Sequence, residues 1–306
     1  FNGGKFIIND GIRLQTVSLK STIADNSFFN FPFTEINQEN FAVTGNLGAV
    51  YLPTENTRVN LSLASGFRAP NVDDVARIFE SNTASRQLIV PNPEIGPEYT
   101  YNIDLGFTLN IKNIRLEVTG FYTWFRNAIS ISPFEFGGED SITYNGTRVK
   151  VFANQNVNKA YVYGVNSNLT VDFLKGFRLY STINYTYGRL QPHGATEVPL
   201  DHITPVYGKT SLSYTHKLIT AEFYGIYNGW KKIADYNPSG EDNAQYATPD
   251  GTPSWYTLNV KTTFTPQKNI SIQLGVENIL DRNYRYFASG FSAPGRNFII
   301  ALRSSF

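Results

Sequence analysis

Apolar and polar residues alternate one by one over long stretches of the chain. In the last segment Phe298, Ile300, Leu302, Ser304 and Phe306 share one face, while Asn297, Ile299, Ala301, Arg303 and Ser305 share the other. The same alternation runs through 101–111, 162–173 and 270–277. A period of two is the mark of a β-strand with two different surroundings. It predicts about twelve strands, near 11–23, 40–53, 58–68, 98–111, 114–132, 158–174, 177–190, 203–217, 219–233, 254–266, 270–281 and 296–306. Most exceed the ~5–6 residues usual in soluble sheets. About ten residues, rising ~3.3 Å each and tilted ~40°, cross a ~25 Å apolar band.

The connections carry a second regularity. Pro53 to Thr57, Lys112-Asn113, Lys175-Gly176, the His216 to Ile219 region and Pro266 to Asn269 are short. The stretches 24–39, 69–97, 133–157, 191–202, 234–253 and 282–295 are long, and the two kinds strictly take turns. A soluble sheet with one wet face would alternate too, but has no reason to keep this parity. Outer-membrane barrels do: short periplasmic turns, longer external loops. The fold class expected is therefore all-β, an antiparallel transmembrane β-barrel whose chain ends on the periplasmic side. Its lumenal face would carry Arg58, Arg68, Asp104, Arg115, Glu117, Asp172, Arg178, Glu222, Lys261, Glu277 and Arg303. Tyr51, Tyr122, Trp124, Tyr185, Tyr187, Tyr227 and Trp230 stand near strand ends. They suit interfacial girdles, although each taken singly suits ordinary packing.

Composition sharpens this picture. Aromatics make 15% of the 306 residues and charged groups only 17%, against roughly 25% charged in soluble domains. No apolar run approaches the ~20 residues of a membrane helix. The net charge of +1 argues against nucleic acid as a partner, and the lack of cysteine excludes disulfides and thiolate metal sites. The chain opens at Phe1-Asn2-Gly3-Gly4 without Met or signal peptide, and is expected to be a mature piece or a fragment. There is no Gly-rich phosphate loop and no Gly-x-Ser-x-Gly elbow. The only histidines are His193, His202 and His216. The first two, near Glu197 and Asp201, read as solvated loop residues rather than a metal site. No enzyme activity, cofactor or metal is expected.

Five segments follow one another in a familiar order. They are Gly66-Phe67-Arg68-Ala69-Pro70-Asn71; Pro91-Asn92-Pro93-Glu94-Ile95-Gly96-Pro97-Glu98; Asn156 to Gly164, with Ala160 and Tyr163; Val276-Glu277-Asn278-Ile279-Leu280-Asp281, with Tyr284; and Pro294-Gly295-Arg296-Asn297 before the final strand. Alone, each could be an ordinary turn. Together they resemble the C-terminal barrel of TonB-dependent outer-membrane receptors, with loops in a Bacteroidota-like style. The resemblance implies that residues 1–306 are the C-terminal portion of a probable 22-strand barrel. The earlier strands, the N-terminal plug and the energy-coupling box would lie outside this sequence. It implies active import of a scarce substrate, an iron–siderophore by default, across the outer membrane. A SusC-like glycan or peptide importer is the main variation, with a surface lipoprotein as lid. A passive porin, a scaffold barrel in a larger complex and an outer-membrane enzyme are the readings from other classes.

The partners implied are the TonB–ExbB–ExbD complex, reached through the N-terminal region, outer-membrane lipid and the barrel-assembly machinery. The alternating Phe298, Ile300, Leu302 and Phe306 are expected to be the assembly signal, read by strand addition. Haem uptake is disfavoured, because Val72 to Val90 holds no histidine. That loop carries Asp73, Asp74, Arg77, Glu80 and Arg86, either solvated or in contact with ligand. Arg68 is expected in the lumen near the external rim, as a ligand contact with Arg77. Trp230, Tyr236, Tyr246 and Trp255 are expected to frame a vestibule able to stack on a ligand.

Overall fold

The computed structural model describes residues 4–27, 31–82, 87–157, 159–192, 196–238 and 242–305. The expected His193, Arg86 and Phe306 contributions lie outside the described residues. Twelve long strands, one for each segment expected from the sequence, form one antiparallel sheet in chain order. They are β1 (Phe6–Thr22), β2 (Glu35–Thr54), β3 (Thr57–Arg68), β4 (Glu98–Ile111), β5 (Ile114–Arg126) and β6 (Lys159–Phe173). Then come β7 (Phe177–Gln191), β8 (Tyr207–His216), β9 (Ile219–Asn228), β10 (Trp255–Gln267), β11 (Ile270–Glu277) and β12 (Asn297–Ser304). Among the described residues β1 and β12 each pair on one side only.

The register settles which side chains share a face. Leu61 pairs with Leu105 and Leu63 with Ile103, while Ser62 pairs with Asp104 and Arg58 with Thr108. The first set is exposed and apolar, as are Ile12, Phe41, Phe223, Leu274 and Ile300 on other strands. In water such a continuous greasy face would drive aggregation; in hydrocarbon it is the solvated side. Every charged residue assigned to the lumen from the sequence falls on the opposite face. Aromatic tiers close both ends of the greasy band. Phe6 stacks on Tyr51 with ring centroids 4.6 Å apart near the short-turn end, and Tyr163 meets Tyr187 at 5.1 Å near the long-loop end.

This division predicts an asymmetric response to a buried charge. Leu105→Arg, at mid-depth on the lipid side, is expected to cost about 2–4 kcal/mol of folding stability. Thr108→Arg, beside Glu117 on the lumenal side, is expected to cost under ~1 kcal/mol. Reversible unfolding of the full barrel in lipid vesicles reads both; equal costs would contradict the assignment of faces.

Several strand ends differ from expectation for local reasons. The stretch 114–132 is not one strand. Asn127 adopts φ +56°, a left-handed conformation that Asn tolerates, and β5 stops at Arg126. Residues Ala128–Pro133 then join a different sheet. β11 stops at Glu277 rather than 281, because Asn278 takes φ +47°. β9 ends at Asn228, and β8 begins at Tyr207. β1 and β2 instead run further than expected, pairing from Phe6–Tyr51 out to Thr22–Glu35.

The long loops also fold. Phe79–Asn82, Gln87–Ile89, Thr147–Val157, Ala128–Pro133 and Ser141–Tyr144 make a second sheet. Within it Gln87–Ile89 runs parallel to Lys150–Phe152. Leu88, Val90, Val149, Val151 and Ala153 form its buried core. The barrel wall needs no such core, since lipid covers one face and the lumen the other. Among the described residues only one α-helix occurs, α1 (Val72–Ala76).

Candidate functional site at the external mouth

The first three sequence motifs meet in space. Arg68, at the top of β3, faces the lumen opposite Glu98. Its Nη1 donates to Asp74 Oδ2 at 2.6 Å and its Nε to Glu98 Oε1 at 3.2 Å. Asp74 also accepts from the backbone N–H of Asn71, while Asn71 caps α1 by accepting from Asp74 N. The other oxygen of Glu98 accepts from Ile129 N at 2.8 Å. Arg68 therefore sits where the sequence placed it, but its guanidinium is held by two carboxylates. Arg77 lies over the ring of Phe79 at 3.6 Å.

Asparagines complete the clasp. Asn92 Nδ2 donates to Asn154 O at 2.8 Å. Asn156 accepts from Gly96 N at 2.7 Å and donates to Gly96 O and Asn127 O at 2.9 and 2.8 Å. Asn154 Nδ2 reaches Asp74 O at 3.2 Å, and Gln38 Nε2 donates to Ile95 O at 2.9 Å. Amides offer donor and acceptor together, so a few of them satisfy irregular backbone that has no ladder of its own.

The motif near the end of the chain is a second knot. Asn278 is buried; its N–H donates to Asn259 Oδ1 at 2.8 Å, and its side chain bonds Arg282 N and O at 2.9 and 2.8 Å. Asp281 Oδ1 accepts from Arg296 N at 2.7 Å. A Cβ at Gly295 would come within 2.7 Å of that same oxygen, so a larger residue there would push the Asp281 carboxylate off Arg296 N. This knot fixes the loop 278–296 against the top of β10.

A cleft of about 210 Å³ opens between that loop and the loop 229–254. Tyr246, Trp255, Asn283, Tyr284, Arg285 and Ser292 are among its lining residues, which include no carboxylate. Trp255 is on the lumenal register opposite Asn228, with its ring centroid 4.3 Å from Tyr284 and 4.8 Å from Tyr286. Its indole N–H is buried and finds no hydrogen-bond partner among the described residues. Tyr246 is 52% exposed; Arg285 lies 5.6 Å from its ring and donates to its carbonyl at 2.9 Å. Burial pushes the Tyr284 phenol up, with Tyr286 adding to the shift. Tyr236 lies beneath the cleft rather than on it: its hydroxyl pairs with Thr252 Oγ1 at 2.6 Å and its ring meets Phe287. Burial also raises the Tyr236 phenol. Next to it Lys231 donates to Ile203 O at 2.6 Å; burial lowers its pKa, against the pull of Asp242 and Asp235. Trp230 is elsewhere, in a hollow with Tyr185, Tyr187 and Val206, donating to Asp250 O. Two of the four expected aromatics thus share the cleft. Tyr284, which the sequence reading named only as part of a motif, and Arg285, which it passed over, complete it.

Below the mouth the lumenal wall is charged and paired. Glu222 accepts from Lys209 at 2.7 Å and from Lys261 at 2.9 Å. Lys209 lies 4.3 Å from the ring of Tyr224, whose hydroxyl donates to Glu277 at 3.4 Å. Among the described residues no group of His, Asp and Glu could hold a metal ion.

These clasped loops above a charged lumen agree with the comparison with known proteins. The family model described as TonB dependent receptor-like, beta-barrel matches residues 1–279. The chain belongs to the TonB-dependent receptor family. Receptors of this family are outer-membrane proteins and not enzymes. A probable hemoglobin and hemoglobin-haptoglobin-binding protein of Haemophilus influenzae is 27% identical over 85% of this receptor chain, which spans 29% of that relative. Transferrin-binding protein A of the same organism is 24% identical over 99% of the chain, which spans 35% of it. Among solved structures, the copper transporter OprC superposes with a TM-score of 0.79 at 15% identity, covering 100% of this chain and 46% of that one. A ferric enterobactin receptor of Pseudomonas aeruginosa gives 0.66 at 18%, covering 89% and 42%. At these identities the structures attest the fold alone.

Proposed function

We propose that this chain is the C-terminal portion of a 22-strand receptor that imports an iron carrier through coupling to TonB–ExbB–ExbD, a siderophore being the first substrate to test. The observation that carries the reading is the lumenal wall. Lys209, Lys261, Glu222, Tyr224 and Glu277 make a polar, paired surface suited to a plug that must slide or unfold. An apolar wall would instead weld itself to a partner. The external cleft supplies recognition. Its aromatic rings and Arg285, which makes no ion pair among the described residues, suit a ring-bearing carrier with oxygen acceptors. The unpartnered indole N–H of Trp255 is a donor that an occupant could satisfy. The plug and the energy-coupling segment belong to the part of the receptor that precedes this chain.

A second reading has support of its own: iron or haem drawn from a host protein, since several curated relatives are named for binding hemoglobin. The segment Val72 to Val90 offers no histidine for a haem iron, so that ligand would come from elsewhere. Growth of a strain lacking the full receptor gene separates the two. The deletion is expected to abolish growth on a ferric siderophore as sole iron source while sparing growth on free iron salts. Loss confined to hemoglobin would favour the second reading. Removing TonB should reproduce the defect; uptake that persists without TonB would mean a passive porin.

A further inference from the structure

The short turns carry a pattern that import does not use. Three of them are two-residue turns that open on lysine: Lys112-Asn113 between β4 and β5, Lys217-Leu218 between β8 and β9, and Lys268-Asn269 between β10 and β11. The turn between β6 and β7 is closed by the Phe173–Phe177 pair and has Lys175 at its centre. The turn between β2 and β3 departs, with Glu55 in the opening place. The long external loops show the opposite balance, acids outnumbering bases. Turn chemistry does not ask for these lysines. Lys112 and Lys217 both adopt φ +49°, a left-handed conformation that suits glycine or asparagine and is uncommon for a long side chain. A residue held in such a conformation points to a use outside the turn itself.

All four lysines are exposed, and among the described residues none makes an ion pair. The carboxylates of the lower wall, Glu117 and Asp172, are taken by Arg115 and Arg178 on the lumenal face. The depth of the lysines is set by their neighbours. Ile111 and Ile114 flank the first turn, Leu218 and Ile219 follow Lys217, and Leu174 precedes Lys175; all are exposed, Leu174 at 80%. On the lipid-facing register Phe173, Phe177 and Tyr214 form a tier, with successive centroids 5.8 and 4.5 Å apart, and His216 stacks on Tyr214. Apolar side chains exposed right up to the turns bring hydrocarbon to the edge of the wall. The lysines just beyond therefore lie at headgroup depth, on the periplasmic side that short turns face. Successive lysine turns are two strands apart, about 10 Å or more, so each has room for a lipid of its own.

We propose that Lys112, Lys175, Lys217 and Lys268 each hold the phosphate of an anionic phospholipid in the periplasmic leaflet, their stems lying along the apolar residues beside the turns. The occupant follows from charge and depth: unpaired cations at the end of a greasy wall meet lipid headgroups first, and anionic headgroups neutralise them. Lipids held at several turns fix the height of the barrel in the membrane. The contact is independent of the imported substrate.

The test uses the full-length receptor, delipidated in a neutral detergent, with phosphatidylglycerol, phosphatidylcholine and free glycerol phosphate as probes. The quadruple variant carries Lys112→Asn, Lys175→Gln, Lys217→Asn and Lys268→Gln. Each lysine should tighten phosphatidylglycerol binding about fivefold. Native mass spectrometry should therefore find fewer phosphatidylglycerol molecules retained on the variant, by about one per lysine removed. Glu55→Lys should retain about one more than the wild type. Phosphatidylcholine retention should not differ among the three, and glycerol phosphate should displace no lipid. The pair Lys112→Asn with Lys217→Asn should melt at or above the wild-type temperature in detergent alone, because asparagine tolerates the left-handed turn. Heat-dependent gel mobility checks that each variant is a folded barrel. Equal phosphatidylglycerol retention by wild type and quadruple variant would overturn the proposal. So would an equal loss of phosphatidylcholine, displacement of lipid by glycerol phosphate, or a lower melting temperature of the asparagine pair, which would give the lysines to the turns themselves. Binding to purified cell-wall sacculi that the quadruple variant loses, with lipid retention unchanged, would give them to the wall instead.

Discussion

Trp255→Ala in the full-length receptor is expected to weaken carrier binding about 30-fold or more while leaving the barrel folded. The indole is buried at the back of the external cleft, packed against Tyr284 and Tyr286. Removing it deletes one stacking surface and frees the two tyrosines to move. Large aromatic residues in such central, dry positions carry about 2 kcal/mol or more of binding energy, which is the factor stated. Tyr246→Ala, at the exposed lip, should cost well under tenfold, since rim contacts exclude water more than they bind. Calorimetric titration of both variants with the identified carrier measures the contrast. A folded Trp255→Ala receptor with wild-type affinity would remove the cleft from the recognition site. Arg285→Ala adds a chemical check: its effect should be largest for anionic carriers and shrink with added salt.

The second large effect is structural. Asn156→Ala is expected to release the external loop sheet while sparing the wall. The side chain serves Gly96 N, Gly96 O and Asn127 O at once, and Gly96 and Asn127 belong to segments about sixty and thirty residues away. Gly96 N and Gly96 O lie in part-buried bonds and cost about 1–3 kcal/mol each when left without a partner, while the exposed bond to Asn127 O adds little. The local loss should therefore be about 3 kcal/mol or more. Hydrogen exchange of residues 128–157 should accelerate about a hundredfold or more, as that free energy implies, and protease should cut there first. The amides of β3 to β6 should keep their protection, because their ladders do not involve Asn156. Uniform acceleration across the sheet, or none in the loop, would contradict the clasp. Asn156→Asp keeps the acceptor for Gly96 N and loses the two donations, so it should fall between the two.

The motifs that mark the family acquire a physical meaning in this arrangement. The segment around Arg68, the one around Asn92 and the one around Asn156 come together in one clasp. They hold one another, through Arg68, Asp74, Glu98 and the asparagine amides. The motif around Asn278 likewise ties a loop to β10. Arg68, expected from the sequence as a ligand contact, is engaged in this way by Asp74 and Glu98. The expectation had the right face and depth but could not see the two acids. Asp74 is six residues on and Glu98 thirty, and nothing in their spacing says that both return to the same guanidinium.

What the sequence determined by itself was everything governed by the backbone pleat. Each strand of a sheet sends successive side chains to opposite faces, so hydrocarbon on one side and a wet lumen on the other leave a period of two within the strand itself. Strand number, face assignment, aromatic tiers and the parity of turns and loops were legible for that reason. What only the tertiary structure decided was the mouth. Gln87–Ile89 lies parallel to Lys150–Phe152, a pairing across sixty residues that carries no local period. Tyr246, Trp255 and Tyr284 share a cleft while Trp230 goes to the lipid-side rim, although all are aromatics in or beside external loops. A wall is written residue by residue, because each residue meets its solvent alone. A loop cluster exists only when distant segments meet, so its contacts appear in the folded chain and not in its pattern.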